Sequence, residues 1–106
     1  MSDVVRHDIC GLIDKELEAA NRKFPLFNSN HEAFAVILEE AEEARGEAEN
    51  LIILMNNFWI SVKENHDPEA LREELTGIYK TALDLAVEAI QTAAMAQKGV
   101  ISNINK

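Results

Sequence analysis

Apolar residues recur at steps of three and four along most of the chain, which is the pattern of amphipathic helices. Only two prolines and four glycines interrupt the 106 residues. The first apolar stripe predicts a helix from about Asp3 to Arg22. Its members are Val5, Ile9, Leu12, Ile13, Leu17 and Ala20. The pattern favours an all-α fold.

A second helix is predicted to begin after Ser29, because Ser29 and Glu32 have the spacing of a capping box. It runs over about residues 30–64, and Gly46 is expected to kink it without ending it. Its apolar stripe is Phe34, Leu38, Ala41, Ala48, Ile52, Met55, Trp59 and Val62.

A third helix is predicted over about residues 68–98, with Asp67 as N-cap and Pro68 at the first helical position. Gly99 is typical of a helix C-terminus, so the tail 99–106 is expected to be loose. The predicted stripe is Leu71, Leu75, Ile78, Ala82, Leu85, Ala89 and Ala93. The chain is therefore interpreted as a single all-α domain, residues 1–106.

The second and third helices form a long antiparallel hairpin in this interpretation, each about 45–50 Å long at 1.5 Å per residue. One short N-terminal helix cannot cover both. The segment Leu51–Val62 is apolar almost all round, as in a helix buried on more than one side. We therefore expect a homodimer or homotetramer in which oligomerisation completes a helical bundle.

Composition narrows the function classes. A net charge of −9 argues against nucleic acid or an anionic membrane as partner. No apolar run approaches the length of a membrane span, and no signal peptide is visible. Cys10 is the only cysteine, which excludes an internal disulfide and fits a reducing compartment. It is expected to be a small buried hydrophobe, and the protein is expected to be cytoplasmic.

An acidic run in the second predicted helix places glutamates close enough to repel one another. Six glutamates and one arginine occupy the eleven residues from Glu39 to Glu49. Glu39–Glu43 and Glu43–Glu47 are like-charged pairs four residues apart, each slightly destabilising to a helix. Water, a protein partner or a metal ion could offset this repulsion.

The hairpin register brings part of this run to the third helix. If the turn is centred between residues 65 and 66, Glu43 lies opposite Glu88 and Glu40 opposite Gln91, with Asp84 one turn from Glu88. Three carboxylates and an amide oxygen then form one patch, and hard divalent cations such as Mg²⁺ prefer oxygen ligands. A solvated acidic face is the alternative interpretation, since this spacing is common on exposed helices.

Two sequence blocks carry a family resemblance. "HEAFAVILEEAEE" (His31–Glu43) and "EAIQTAAMA" (Glu88–Ala96) resemble the MazG-like all-α nucleoside triphosphate pyrophosphohydrolases, in particular their short phage and prophage members. The similarity covers roughly residues 24–98. The family has an EExxE motif on one helix and an ExxD motif on a later one, which together bind magnesium.

Residue by residue, Glu39, Glu40 and Glu43 match the first motif and Glu88 begins the second. Gln91 stands where the family usually has aspartate, so the site has one negative charge fewer. The resemblance implies a helical bundle of intertwined dimers, in agreement with the oligomer expected from the apolar pattern.

The implied activity is Mg²⁺-dependent hydrolysis of a nucleoside triphosphate to the monophosphate and pyrophosphate, with Mn²⁺ as an alternative ion. The ion would bind Glu40, Glu43 and Glu88, with Gln91 as a further oxygen ligand. It would neutralise phosphate oxygens and lower the pKa of a bound water. Glu39 would orient that water or act as its base.

Candidate substrate contacts are Asn28, His31, Lys80 and Asp84. Asn28 could hydrogen-bond a base and Lys80 could contact a phosphate, while His31 belongs to the first block. Each is equally compatible with an ordinary solvent-facing side chain. The alternative function is a non-catalytic helical oligomer that retains the family scaffold as a protein-interaction module; Gln91 and the absence of a clear basic phosphate clamp favour it.

Overall fold

The structure is a computed structural model that describes residues 3–104, and within that range it contains three helices and no strand. They are α1 (Asp3–Lys23), α2 (Asn30–Lys63) and α3 (Pro68–Ile104). The all-α prediction is confirmed. α2 and α3 pack against each other, and α1 packs against α3.

The predicted helix starts are confirmed by their caps. Ser29 Oγ accepts a hydrogen bond from the backbone N–H of Glu32 at 3.1 Å. Asp67 Oδ1 accepts one from the backbone N–H of Ala70 at 2.8 Å. Both bonds satisfy N–H groups that have no partner inside their own helix. α2 continues through Gly46.

The predicted end of α3 at Gly99 is wrong, because the helix continues to Ile104. Gly99 is buried, and a Cβ added to it would lie 3.9 Å from the side chains of Ala33 and Ile37. The last turn is also fixed by Asn103, whose Nδ2 donates to Asn30 Oδ1 at 2.7 Å. Tertiary contacts therefore override the stop signal, and residues 99–104 are not a loose tail. The last two residues of that predicted tail lie outside the described range.

α2 and α3 pack antiparallel along a seam. The side chains that form it are buried or half-buried and recur at alternating steps of three and four residues. This 3.5-residue period is that of coiled coils. The α2 positions are Ala33, Ile37, Glu40, Ala44, Glu47, Leu51, Leu54, Phe58 and Ser61. The α3 positions are Leu71, Glu74, Ile78, Thr81, Leu85, Glu88, Thr92, Met95, Gly99 and Ser102. The seam thus contains glutamates at positions where coiled coils usually have apolar residues.

The stripe predicted for α2 is not the face that packs on α3. Several of its large members, including Ile52, Met55 and Trp59, are exposed in this chain. The reason is that Leu51–Val62 is apolar almost all round, so its periodicity fits more than one inward face. Packing on α3 covers one of these apolar faces and leaves another exposed.

The most buried part of the chain lies at the end where the α1–α2 loop meets α3. Phe27, Ala33 and Ala94 are the buried hydrophobic residues of the described range, and Ala94 is fully buried. Phe27 donates its backbone N–H to Ser102 Oγ at 2.9 Å, which holds the loop on α3. Cys10 is exposed rather than buried, contrary to expectation, as are most residues of the first half of α1.

The molecule is elongated. Its extents are 60 × 29 × 23 Å and its radius of gyration is 17.9 Å, against about 13 Å for a compact domain of this length. None of α1, α2 and α3 contains an apolar stretch long enough to cross a bilayer.

Candidate metal centre

Three carboxylates meet across the middle of the hairpin. Glu40 and Glu43 are one turn apart on α2, and Glu88 projects from α3. One oxygen from each lies within 4.8 Å of the others. The predicted register therefore brings these three residues together.

Two of these carboxylates have an oxygen that is shielded from water and unpaired. Glu40 Oε2 and Glu88 Oε2 are buried and have no hydrogen-bond partner among residues 3–104. Within residues 3–104 no ion pair reaches the cluster, and Arg45, the nearest basic residue in sequence, instead pairs with Glu49 at 3.1 Å. A buried carboxylate oxygen without a partner is costly. Protein cations do not offset the repulsion here.

The electrostatics of the cluster raise two pKa values. Desolvation raises the pKa of Glu40 above its ordinary value, and the charges of Glu43 and Glu39 raise it further. Desolvation likewise raises the pKa of Glu88, followed by a hydrogen bond with Glu43 and the charges of its neighbours. Both shifts mean that the cluster favours a positive charge, which a proton or a metal cation can supply.

The donor set fits a hard divalent cation. Carboxylate oxygens are the ligands that Mg²⁺ and Mn²⁺ prefer, and Mg²⁺ commonly takes one or two carboxylates with waters and phosphates completing its shell. Glu43 is exposed while Glu40 and Glu88 are half-buried. A cation held here would therefore face both the seam and solvent.

Gln91 and Glu39 lie beside this cluster. Gln91 is one turn after Glu88 on α3 and lines the same cavity as Glu40. Its amide oxygen is an acceptor that carries no charge. Glu39 is exposed and its charge acts on Glu40.

The four predicted substrate contacts are placed elsewhere. Asn28 and His31 are exposed near the start of α2, and neither lines the cavity next to Glu40. Lys80 lines a separate shallow depression on α3. Asp84 is exposed and does not belong to the group of carboxylates within 4.8 Å. The structure does not bring these four residues together.

A cavity of about 540 Å³ extends from Glu40 towards the α1–α2 loop. It opens between all three helices, and its size is within the range of small-molecule sites. Its lining residues are Glu16, Ala19, Ala20, Lys23, Phe24, Pro25, Phe27, Glu32, Val36, Glu40, Gln91, Met95 and Lys98. The charged residues of this lining are Glu16, Glu32, Glu40, Lys23 and Lys98, and its aromatic residues are Phe24 and Phe27.

Sequence reasoning missed three charged residues of this region. Glu47 is a seam residue whose charge raises the pKa of Glu88, and Glu16 acts on Glu40 from α1. The heptad spacing between Glu40 and Glu47 is a signal that could have found the first. Lys98 lines the cavity and is buried, and no spacing rule indicates it.

Comparison of the chain with protein-family models, with curated proteins and with solved structures finds no match. Its function is therefore argued from the geometry of the site and from the two sequence blocks.

Proposed function

We propose that the protein is a divalent-metal-dependent nucleoside triphosphate pyrophosphohydrolase, which releases a nucleoside monophosphate and pyrophosphate. One observation carries the proposal: Glu40, Glu43 and Glu88 present oxygens within 4.8 Å of one another, and two of them bury an unpaired oxygen. The match of these residues to the EExxE and ExxD motifs supports the same function.

In this proposal Glu40, Glu43 and Glu88 hold the cation. Bound Mg²⁺ supplies charge neutralisation of the phosphate oxygens and an acidified water. Glu39, exposed and adjacent to Glu40, orients the attacking water or accepts its proton. Gln91 offers an amide oxygen on the cavity side of the cluster.

Gln91 makes the site less anionic than an aspartate would. Each charge that leaves the donor set weakens attraction for a divalent cation. We therefore expect a slow enzyme that needs more Mg²⁺ than a variant with four carboxylates.

We further propose that the working form is a homodimer or homotetramer. The chain exposes 7740 Å², about 1,800 Å² more than a compact monomer of its mass. That excess is larger than the roughly 800 Å² that each partner buries in a standard interface. The exposed apolar side chains of the hairpin include Ile52, Ile53, Met55, Trp59, Ile60 and Val62 on α2, and Leu75, Tyr79, Leu83 and Val87 on α3.

A second copy is the occupant that these faces favour. The seam end near the hairpin turn has few buried side chains, so the exposed apolar residues there have no cover within the chain. The two helices are 34 and 37 residues long, which gives a face of matching length on another copy. We propose a cytoplasmic oligomer, consistent with the lone cysteine.

The test is a product assay. Canonical and modified nucleoside triphosphates are incubated with the protein and Mg²⁺, and monophosphate and pyrophosphate are both quantified. We expect equal amounts of the two products from wild type, loss of both in Glu43→Gln, and retention in Glu42→Gln. Glu42 is an exposed acid of the same helix outside the cluster, so its variant controls for lost charge.

Wild-type release no greater than that of Glu43→Gln would overturn the enzymatic proposal. The non-catalytic oligomer, acting as an interaction module, would then take its place.

A further inference from the structure

Lys98 is a buried residue whose ammonium group has no anionic partner within the described part of the chain. Its side chain is 3% exposed, and it lines the cavity next to the candidate metal centre. Across residues 3–104 no salt bridge or side-chain hydrogen bond involves its ammonium group. Its contact is with Phe27, whose ring centroid lies 5.0 Å from Nζ. A cation–π contact uses none of the three N–H donors of an ammonium group as a hydrogen bond to an acceptor.

The backbone at Phe27 and at Lys98 is held in place through Ser102. Phe27 donates its backbone N–H to Ser102 Oγ, and Ser102 Oγ in turn donates to the carbonyl of Lys98 at 2.8 Å. Ser102 and Phe27 are themselves buried. These bonds fix the backbone positions from which the Phe27 ring and the Lys98 side chain reach the cavity lining.

Glu40 and Gln91 line one part of the cavity, and Phe24, Phe27 and Lys98 line another together with Lys23 and Glu32. Along α3, Lys98 is ten residues beyond Glu88, a rise of about 15 Å. If the phosphates of a nucleotide lie at the carboxylates, as the proposed function requires, its base points towards Lys98.

We propose that this end of the cavity is a base-recognition site in which Lys98 selects an oxo group over an amino group. An ammonium carries three donors and no acceptor. The base atom farthest from the ribose is O6 in a 6-oxopurine and O4 in a 4-oxopyrimidine, both acceptors. In adenine and cytosine the corresponding group is an amine, which cannot accept from Lys98, so only a ring nitrogen beside that amine remains as an acceptor. Phe24, at the exposed mouth, offers a surface on which any base can stack.

The site thus favours nucleotides of guanine, hypoxanthine, uracil or thymine. The inference rests on the proposed function only for the orientation of the nucleotide. Base selection itself needs neither metal nor turnover.

The test uses inosine and adenosine 5′-monophosphates, which differ at position 6 by an oxo and an amino group and contain no anhydride. Each is titrated into the intact protein in chelator, and dissociation constants are measured from NMR chemical shifts. We expect wild type to bind the inosine nucleotide at least about tenfold more tightly, the effect of one charged hydrogen bond. Lys98→Met, which keeps the apolar stem and removes the charge, should abolish this preference.

Lys63→Met is the matched control. Lys63 Nζ lies 5.5 Å from the centroid of the Trp59 ring at the other end of the hairpin, so the variant also removes a lysine from an aromatic face. It should keep the preference. Phe24→Ala should weaken the binding of both nucleotides and leave the ratio of their dissociation constants unchanged. This variant gives a second readout if Lys98→Met fails to fold.

Equal wild-type affinities for the two nucleotides, or binding of neither, would overturn the inference. So would an unchanged preference in Lys98→Met together with a lowered melting temperature, because that result assigns Lys98 a purely structural role. Preference without hydrolysis would remove the proposed activity and keep base selection. Hydrolysis with equal kcat/KM for the two triphosphates would keep the proposed activity and remove base selection.

Discussion

Replacing Glu40 by glutamine should stabilise the metal-free protein. Glu40 and Glu43 carry oxygens within 4.8 Å of each other, and two unit charges at that distance repel by about 0.9 kcal/mol at the dielectric constant of water. At an effective dielectric constant of about 20 the same repulsion is about 3.5 kcal/mol. Glutamine keeps the shape of the side chain and removes this term.

The expected gain is near the lower figure, because Glu43 is exposed and water screens its charge. We expect about 1 kcal/mol in chelator at neutral pH, which raises Tm by about 4–8 °C for a domain of this size. With Mg²⁺ the sign should reverse. Wild type gains about 1.4 kcal/mol when free Mg²⁺ is ten times its Kd, whereas Glu40→Gln has lost a ligand and gains less.

The assay is a set of thermal melts of wild type, Glu40→Gln and Glu42→Gln in chelator and in millimolar Mg²⁺. Glu42→Gln removes the same charge from the same helix outside the cluster, so it corrects for the net charge of −9. Curves that cross for Glu40→Gln and stay parallel for Glu42→Gln support the metal centre. Identical behaviour of the two variants would refute the reasoning.

Three further predictions follow from the same geometry. In chelator, the free energy of unfolding should fall as pH rises from 4.5 through the raised pKa values of Glu40 and Glu88, because the folded state binds more protons than the unfolded state there. Urea melts across this pH range measure that free energy. A free energy of unfolding that rises with pH would contradict the prediction. Gln91→Asp should be less stable than wild type in chelator but gain more from Mg²⁺ and hydrolyse faster, whereas a change below about 0.5 kcal/mol in both conditions would place Gln91 outside the site. Trp59→Glu, at a side chain 59% exposed in the chain, should dissociate or unfold the protein in light scattering, and a folded wild-type monomer at micromolar concentration would contradict the oligomer.

Local signals in the sequence were enough for the helix starts. Ser29 and Asp67 accept hydrogen bonds within a few residues of themselves, so their caps could be predicted from spacing alone. The hairpin register followed from the short turn, and with it the meeting of Glu40, Glu43 and Glu88.

The end of α3 and the inward face of α2 could not be predicted in this way. Gly99 continues the helix because it lies against Ala33 and Ile37, residues more than sixty positions away. The inward face of α2 could not be predicted because Leu51–Val62 is apolar almost all round, so its periodicity fits more than one face. Lys98 was missed for a similar reason: only the three-dimensional fold encloses it beside Phe27.

Binding of Mn²⁺, followed by the electron paramagnetic resonance signal of the free ion, tests most directly whether Glu40, Glu43 and Glu88 form one cation site. The account predicts one Mn²⁺ per chain in wild type and in Glu42→Gln, displaced by Mg²⁺, and marked weakening in Glu43→Gln. Absence of binding to wild type, or equal binding by Glu43→Gln and Glu42→Gln, would contradict it.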